Sequence, residues 1–216
     1  MINEDKFDKH AQNLIILGYR DYIAARFLLN NDFLIQGITF ASTAVEKYLK
    51  VLLLVTGHKR KLHLENWKEI KNLLHLNGID IFNELDINFL KLLSKVYKLR
   101  YYDKIESQVF YSFIKWQALW ELDFTINIIE NRTSFKLSSG ESWKSPYKSA
   151  IEVKDKTLFE ENYVLNGIDK KQYMEREGKS VIINIDKNLN EVHIEGPLKQ
   201  ENYKGSIIEL KDVQIK

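Results

Sequence analysis

Four polar side chains on one predicted helix form the first group whose types and spacing could bind a charged ligand. They follow the spacing i, i+4, i+7 and i+11, so that they would share one helical face: Thr39, Thr43, Glu46 and Lys50. The rest of the segment is apolar, which predicts a buried helix with one narrow polar stripe. Glu46 and Lys50 have the order and spacing of a pair that supports a helix. The stripe could also face a groove between protomers.

A second group lies in the segment YKLRYYD at positions 97–103. Arg100 follows Val96 by four residues and therefore falls on an apolar helical stripe. A guanidinium at the end of a buried face must be paired or must point into a polar crevice. One interpretation is an ion pair with Asp103 or with Glu46 of the neighbouring helix. The other is a contact with phosphate or an RNA backbone in a cleft between protomers.

Further candidates lie in the loop after the second helix. Lys59, Arg60 and Lys61 form the densest basic cluster of the chain, which is either solvated or a patch that attracts phosphates. His63 fits a histidine at a helix start, and it could also transfer protons. Tyr101 could stack on a base or could pack in the core or an interface.

Composition restricts the class of protein. The 216 residues are 44% hydrophobic and 29% charged, which supports a folded core with a polar surface. The 32 basic and 30 acidic residues are too nearly balanced for the whole chain to bind polyanions, so a nucleic-acid contact would need a local patch. The absence of cysteine excludes disulfides and thiolate metal sites and fits a reducing compartment.

Targeting and cofactor signals are also missing from the sequence. The first ten residues lack the apolar core of a secretory signal, and the longest strongly apolar run, Val51–Val55, is too short to span a bilayer. We therefore expect a cytoplasmic protein that does not contact membranes. His58 and His63 lie five residues apart in a loop and are not accompanied by carboxylate or cysteine ligands, so we expect no metal site. Phosphate-loop and dinucleotide-binding motifs are absent, and we expect no cofactor.

Hydrophobic periodicity predicts an antiparallel, up-and-down bundle of five helices in the first part of the chain. The predicted helices cover about 7–30, 33–56, 65–76, 86–102 and 107–131. The second is apolar around most of its circumference and should be the most buried. Gly57 is placed to end it.

The second part of the chain changes period. Both prolines and most glycines lie outside the predicted helices, and 180–185 and 191–194 have the pattern of a β-hairpin. Segments 206–210 and, more weakly, 150–153 are further strand candidates. We therefore predict a mainly α fold with a β-rich C-terminal part. The predicted units are a helical bundle (1–132), a linker (133–144) and a small β-rich domain or extension (145–216).

Three motifs in order resemble the HEPN domain family over roughly residues 5–131. AVEKYLKVLL at 44–53 matches the A-x-E-K-x-L-K-a-L-L pattern, LHLENWKEIKNLL at 62–74 matches an H-x-L-x-x-L-L stretch, and YKLRYYD at 97–103 matches a Y-x-x-x-R-Y-x-D ending. The resemblance implies a five-helix bundle that forms a homodimer. It also implies a ribonuclease, a partner of a nucleotidyltransferase in a toxin-antitoxin pair, or a non-catalytic module that binds RNA or a nucleotide.

Nuclease members of the family carry a histidine four to six residues after the arginine, with a polar residue beside the arginine. Here Tyr101 follows Arg100, and those later positions hold Ile105, Glu106 and Ser107. The imidazole that would serve the attacking 2′-hydroxyl is missing. We therefore expect a dimeric module that binds RNA, a nucleotide or a partner protein, without ribonuclease activity.

Two alternatives remain open at this stage. One is a metal-independent endoribonuclease, the toxin of a nucleotidyltransferase-HEPN pair, in which Arg100 stabilises the developing charge and His63 or Tyr102 transfers protons. The other is a structural role in which the bundle assembles and the C-terminal part recruits a partner.

Overall fold

A computed structural model of the chain describes residues 9–58, 61–96, 109–133, 135–136, 142–170, 172, 179–185 and 191–197. These residues confirm a mainly helical fold. The α-helices are α1 Lys9–Asn30, α2 Leu34–Val55, α3 Trp67–Leu76, α4 Ile87–Val96, α5 Lys115–Arg132, α6 Pro146–Glu152 and α7 Lys156–Phe159. The strands are β1 Val109–Ile114, β2 Phe135–Lys136, β3 Ser142–Trp143, β4 Lys179–Ile185 and β5 Glu191–Pro197.

Helices α1 and α2 form a closely packed antiparallel pair. A turn of three residues joins them, and Asp32 takes the left-handed backbone conformation there, with φ of 63°. Two glycines let the backbones approach: Gly37 of α2 lies against Leu29, and Gly18 of α1 lies against the ring of Tyr48. A Cβ at Gly37 would lie 2.7 Å from Leu29 Cγ, so the spacing of the two helices requires glycine there, whereas a Cβ at Gly18 would make a tight contact of 3.2 Å with the ring of Tyr48.

Helix α2 is the buried centre of the molecule, as its apolar circumference predicts: 15 of its 22 residues are buried. The helix ends where the sequence indicates, because Gly57 adopts φ of 88° after the last turn. The backbone N–H groups of Gly57 and His58 donate to Leu54 and Leu53, which satisfies carbonyls at the end of the helix.

The fifth predicted helix, 107–131, is wrong in its first part. Residues 109–114 form β1, and α5 begins only at Lys115. The sequence VFYSFI is rich in aromatic and β-branched residues, which favour a strand when another strand is present to pair with. That partner is β4, about seventy residues later, which pairs antiparallel with β1 from Val109↔Ile185 to Ile114↔Ser180. The helical spacing of Phe110, Phe113 and Trp116 did not distinguish the two structures.

The predicted strand at 150–153 is also wrong, because residues 150–152 belong to α6 and Val153 caps it. Ser145 caps the start of this helix, its Oγ accepting a hydrogen bond from the N–H of Lys148, and Pro146 occupies the first helical position. Pro146 thus begins a helix that the sequence analysis did not expect. Tyr147 and Leu158 are buried in the same hydrophobic core as α1 to α5.

The strands form two small antiparallel sheets. One has the order β1-β4-β5, and the other pairs β2 with β3. Strands β4 and β5 lie at the two segments for which the hairpin was predicted, with Lys179 opposite Pro197 and Ile185 opposite Glu191. The strand predicted at 206–210 lies outside the described residues, and the division of the chain at 133–144 stays a prediction.

Candidate functional site

The structure brings together three of the residues that the sequence singled out. Glu46 of α2 receives Lys50 Nζ on Oε1 at 2.8 Å, and His63 Nδ1 lies 3.2 Å from the same oxygen. The backbone N–H of Leu64 donates to Oε2 at 3.0 Å. We call Glu46, Lys50 and His63 the α2 cluster. It ties the middle of α2 to the segment that leads into α3.

The carboxylate at the centre of the α2 cluster is held in its ionised form. Glu46 is only 6% exposed. Burial by itself would raise its pKa, but hydrogen bonds from Lys50, the Leu64 N–H and His63, with the charge of Lys50, bring the pKa below its ordinary value. Glu46 therefore suits the role of a fixed acceptor and positioning group better than that of a general acid.

His63 is oriented by Glu46 while its side chain stays 43% exposed. It caps a 3-10 turn, Leu64–Asn66, in which its own N–H donates to Asn66 Oδ1 at 3.3 Å. The interpretation of His63 as a histidine at a helix start is thereby confirmed. A carboxylate that orients an imidazole is also the arrangement by which many enzymes prepare a general base. Both interpretations therefore keep a structural basis.

The threonines of the predicted stripe are less involved. Thr43 Oγ1 donates to the carbonyl of Phe40 on its own helix. Thr39 is half-buried. The neighbouring Ser42 has the more useful contact, because its Oγ donates to the carbonyl of Leu93 at 2.9 Å and so connects α2 with α4. Around residues 39–43, the polar side chains of α2 thus bond to backbone carbonyls of α2 and α4. The α2 cluster lies one turn further along the same helix.

Several predicted site residues lie outside the described residues: Lys59, Arg60, Arg100, Tyr101 and Asp103. Lys61, the last member of the basic cluster, is exposed two residues before His63. The contact of Arg100 with Glu46 or with a ligand therefore stays a prediction.

A buried polar centre that the sequence analysis missed connects α1, α5 and α7. Arg26 Nε donates to Asp123 Oδ1 at 2.9 Å, and Tyr22 Oη donates to the same oxygen at 2.6 Å. The two terminal nitrogens of the guanidinium donate to the carbonyls of Thr157 at 2.7 Å and Glu160 at 2.6 Å. Every nitrogen of this guanidinium therefore has an acceptor, which is the condition for burying Arg.

A second buried centre is built on Glu130 of α5. Tyr48 Oη donates to Oε1 at 2.9 Å, and Ser145 Oγ donates to Oε2 at 2.7 Å. Burial raises the pKa of Glu130, although the hydrogen bonds from Ser145 and Tyr48 and the charge of Lys148 act in the opposite direction. Lys148 Nζ also donates to the carbonyl of Thr133 at 2.8 Å. Helices α2, α5 and α6 are thus joined by one carboxylate.

One sequence signal could have located the first of these centres. Arg26 lies four residues after Tyr22 and three before Leu29, on the apolar stripe of α1. The spacing that singles out Arg100 is therefore present at Arg26 as well. Asp123 and Glu130 gave no comparable signal, since α5 is buried on most faces and its polar residues follow no simple period.

Comparison of the chain with known protein families, with characterised proteins and with solved structures gave no significant match. Among the residues that the structure describes, no helix combines the length and apolar character needed to cross a membrane.

Proposed function

We propose that this protein is a HEPN-like, dimeric, cytoplasmic module that binds RNA or a nucleotide through its phosphates and does not cleave it. The binding surface would comprise the α2 cluster, the basic residues Lys59, Arg60 and Lys61, and the segment that contains Arg100, Tyr101 and Asp103. A partner protein, such as a nucleotidyltransferase, would use the same surface or the β-rich C-terminal part. The HEPN-like five-helix bundle and the small β domain belong to the same proposal.

The observation that carries the proposal is the geometry of Glu46. This carboxylate holds an ammonium group from α2 and an imidazole from the segment before α3 within hydrogen-bond distance. Two groups that attract phosphate are thereby positioned at one place, next to the exposed Lys61. Since Glu46 is nearly buried, the Lys50 ammonium and the His63 imidazole are presented to a ligand and the carboxylate is not.

One observation favours the alternative of a metal-independent endoribonuclease. The Glu46–His63 pair supplies an oriented imidazole, the group that the missing family histidine would otherwise provide. Cleavage would then require His63 to take the proton of the 2′-hydroxyl while Arg100 stabilises the negative charge of the transition state.

Both functions are tested with one labelled single-stranded RNA in the presence of a chelator. Fluorescence anisotropy measures binding, and a denaturing gel measures cleavage by the same samples. The variants are Lys50→Glu, His63→Ala and Arg100→Ala, and Lys144→Glu is the control. Lys144 is matched to Lys50 because it also pairs with a glutamate, Glu152, but lies before α6.

The binding module predicts that Lys50→Glu and Arg100→Ala weaken binding and reduce its salt dependence, whereas Lys144→Glu does neither. The binding module also predicts that none of these proteins cuts the RNA. Cleavage that is lost with both His63→Ala and Arg100→Ala would replace the module by the endoribonuclease. Equal affinity in all variants would refute binding at the α2 cluster.

The proposed dimer is tested separately by light scattering at micromolar concentration. One chain has a mass of 25.6 kDa, and we expect the particle in solution to have twice this mass. A monomer would contradict a binding groove built from two protomers.

A further inference from the structure

A cleft of about 890 Å³ runs along α1, on residues that differ from the α2 cluster. Its described walls come from α1, from Trp116 near the start of α5 and from the segment 155–161. We call it the α1 cleft. Its volume is in the range of pockets that enclose a small ligand or a few side chains of a partner.

One wall of the α1 cleft is apolar. Phe27 is 65% exposed, and Ile23 and Trp116 are half-buried beside the same cleft. An aromatic ring of this size that is left largely in water marks a surface for binding when other apolar groups adjoin it. The cleft therefore offers a ring face and aliphatic contacts to an occupant.

A second part of the lining is acidic and comprises Asp155, Glu160 and Glu161. We call these three residues the acidic wall. Hydrogen bonds from the hydroxyl and N–H of Thr157 keep the pKa of Asp155 below its ordinary value, so this carboxylate is ionised at neutral pH. Arg20 is the only described cation lining the cleft apart from Arg26.

Arg26 does not balance this wall, since its guanidinium is bonded to Asp123 and two carbonyls. The electrostatic character of the cleft is therefore negative, opposite to that of the proposed phosphate site.

The carboxylates of the acidic wall accept hydrogen bonds, so they favour an occupant that has donors. An occupant that carries several N–H donors and a positive charge fits all of these groups.

We propose that the α1 cleft docks an arginine-containing basic segment of a partner protein. A guanidinium would stack on Phe27 and donate to the carboxylates of Glu160 and Glu161. A protein segment is favoured over a small free cation because Phe27 is 65% exposed, and the flanking residues of a peptide would cover apolar area that a small cation leaves in water. The carboxylates repel nucleic acid, so this surface is separate from the proposed RNA site.

The probe is a fluorescein-labelled nine-residue peptide in which arginine alternates with leucine, measured by anisotropy against the full-length protein. The variants are the double substitution Glu160→Gln with Glu161→Gln, and Phe27→Ser. Their matched controls are Glu65→Gln and Phe40→Ser, an exposed glutamate and an exposed phenylalanine of other elements. Spermidine serves as the free cation, and thermal unfolding verifies that every variant is folded.

We expect each cleft variant to weaken peptide binding by about tenfold, the loss that follows from removing charge-assisted contacts or the stacking surface. The controls should bind as the unmodified chain does, and spermidine should displace the peptide only at far higher concentration. Equal binding in the cleft variants and controls would refute the site. Displacement by spermidine at the concentration of the peptide itself would refute a protein segment as the occupant.

Discussion

Arg26 on α1 and Asp123 on α5 form an ion pair, with 2.9 Å between Nε and Oδ1, in the interior of the molecule. The two residues are 1% and 0% exposed. The carboxylate is fixed from one side only, because its Oδ2 is buried and has no hydrogen-bond partner among the described residues. The pair thus connects three parts of the chain, but it leaves one buried oxygen unsatisfied.

Replacing Arg26 by methionine should strongly destabilise the fold. The methionine fills similar space but leaves Asp123 as a buried carboxylate without a cation, and removal of one partner of such a pair costs roughly 3–5 kcal/mol. The free energy of unfolding in urea measures the loss. Arg20→Met is the control, because Arg20 is exposed on the same helix. Similar stabilities for the two variants would show that the buried pair contributes nothing particular.

Asp123 should make stability depend on pH in the acidic range. Burial raises its pKa to about 6 from 3.8, although Arg26 and Tyr22 act in the opposite direction. The folded chain therefore holds this proton more tightly than the unfolded chain does. The protonated Asp123 therefore adds to the free energy of unfolding. This contribution is complete below about pH 4 and is lost as the pH rises through about 6.

The measurement is the difference in free energy of unfolding between the unmodified chain and Asp123→Asn across this pH window. The difference should change in favour of the variant as the pH rises. Other carboxylates contribute to both proteins and cancel. A difference that is independent of pH would mean that Asp123 titrates as it does in the unfolded chain.

Glu46 should behave in the opposite way. Replacement by alanine leaves the Leu64 N–H and the Lys50 ammonium without their acceptor, which should lower the free energy of unfolding by about 1–3 kcal/mol. Because the folded pKa of Glu46 is lowered from 4.5, its contribution is present at neutral pH and is lost as the pH falls through the folded pKa.

Hydrogen exchange gives a local measurement of the same contact. The amide of Leu64 should exchange faster in Glu46→Ala than in the unmodified chain, whereas Glu65→Ala, at an exposed neighbouring position, should leave it protected. Unchanged protection of Leu64 in Glu46→Ala would contradict the role of Glu46 as the anchor of this segment.

Gly37→Ala should destabilise the α1–α2 pair even though alanine is the better helix former. A Cβ at this position would lie 2.7 Å from Leu29 Cγ and 3.0 Å from its backbone nitrogen, so the helices would have to separate. Overpacking of this kind costs roughly 1–3 kcal/mol.

Gly18→Ala provides the comparison for this test. Its nearest atoms, on the ring of Tyr48, are 3.2 Å away and belong to a side chain. Urea unfolding should show the smaller loss for this variant, and an equal or larger loss would contradict the assignment of Gly37 as the tighter contact.

The sequence predicted the helical elements well where the apolar period was regular. The burial of α2 and its end at Gly57 followed from local patterns alone. The strand β1 did not, because its pairing with β4 depends on a segment far away in the chain that periodicity cannot detect. Helix α6 was not predicted, since Pro146 lies outside the predicted helices and 150–153 is a weak strand candidate, whereas proline is favoured at a first helical position.

The α2 cluster was predictable in part. The stripe of α2 identified Glu46 and Lys50, and the resemblance identified His63, but the contact among them depends on how the segment after α2 folds back. The pairing of Asp123 with Arg26 was not foreseen, because nothing in the local sequence of α5 relates it to α1. A buried ion pair of this kind can be predicted from sequence only through a charged residue on an apolar stripe, as Arg26 is on α1, and the identity of its partner does not follow from that position.

The bonds of Arg26 also affect how the chain folds during synthesis. Its acceptors Thr157 and Glu160 follow it by 131 and 134 residues. On the ribosome, α1 and α2 emerge long before these carbonyls exist, so the guanidinium cannot be buried with all its donors satisfied. We therefore expect the interior to close only after α7 has left the exit tunnel, and a nascent chain that stalls at the end of α5 to remain short of the native state.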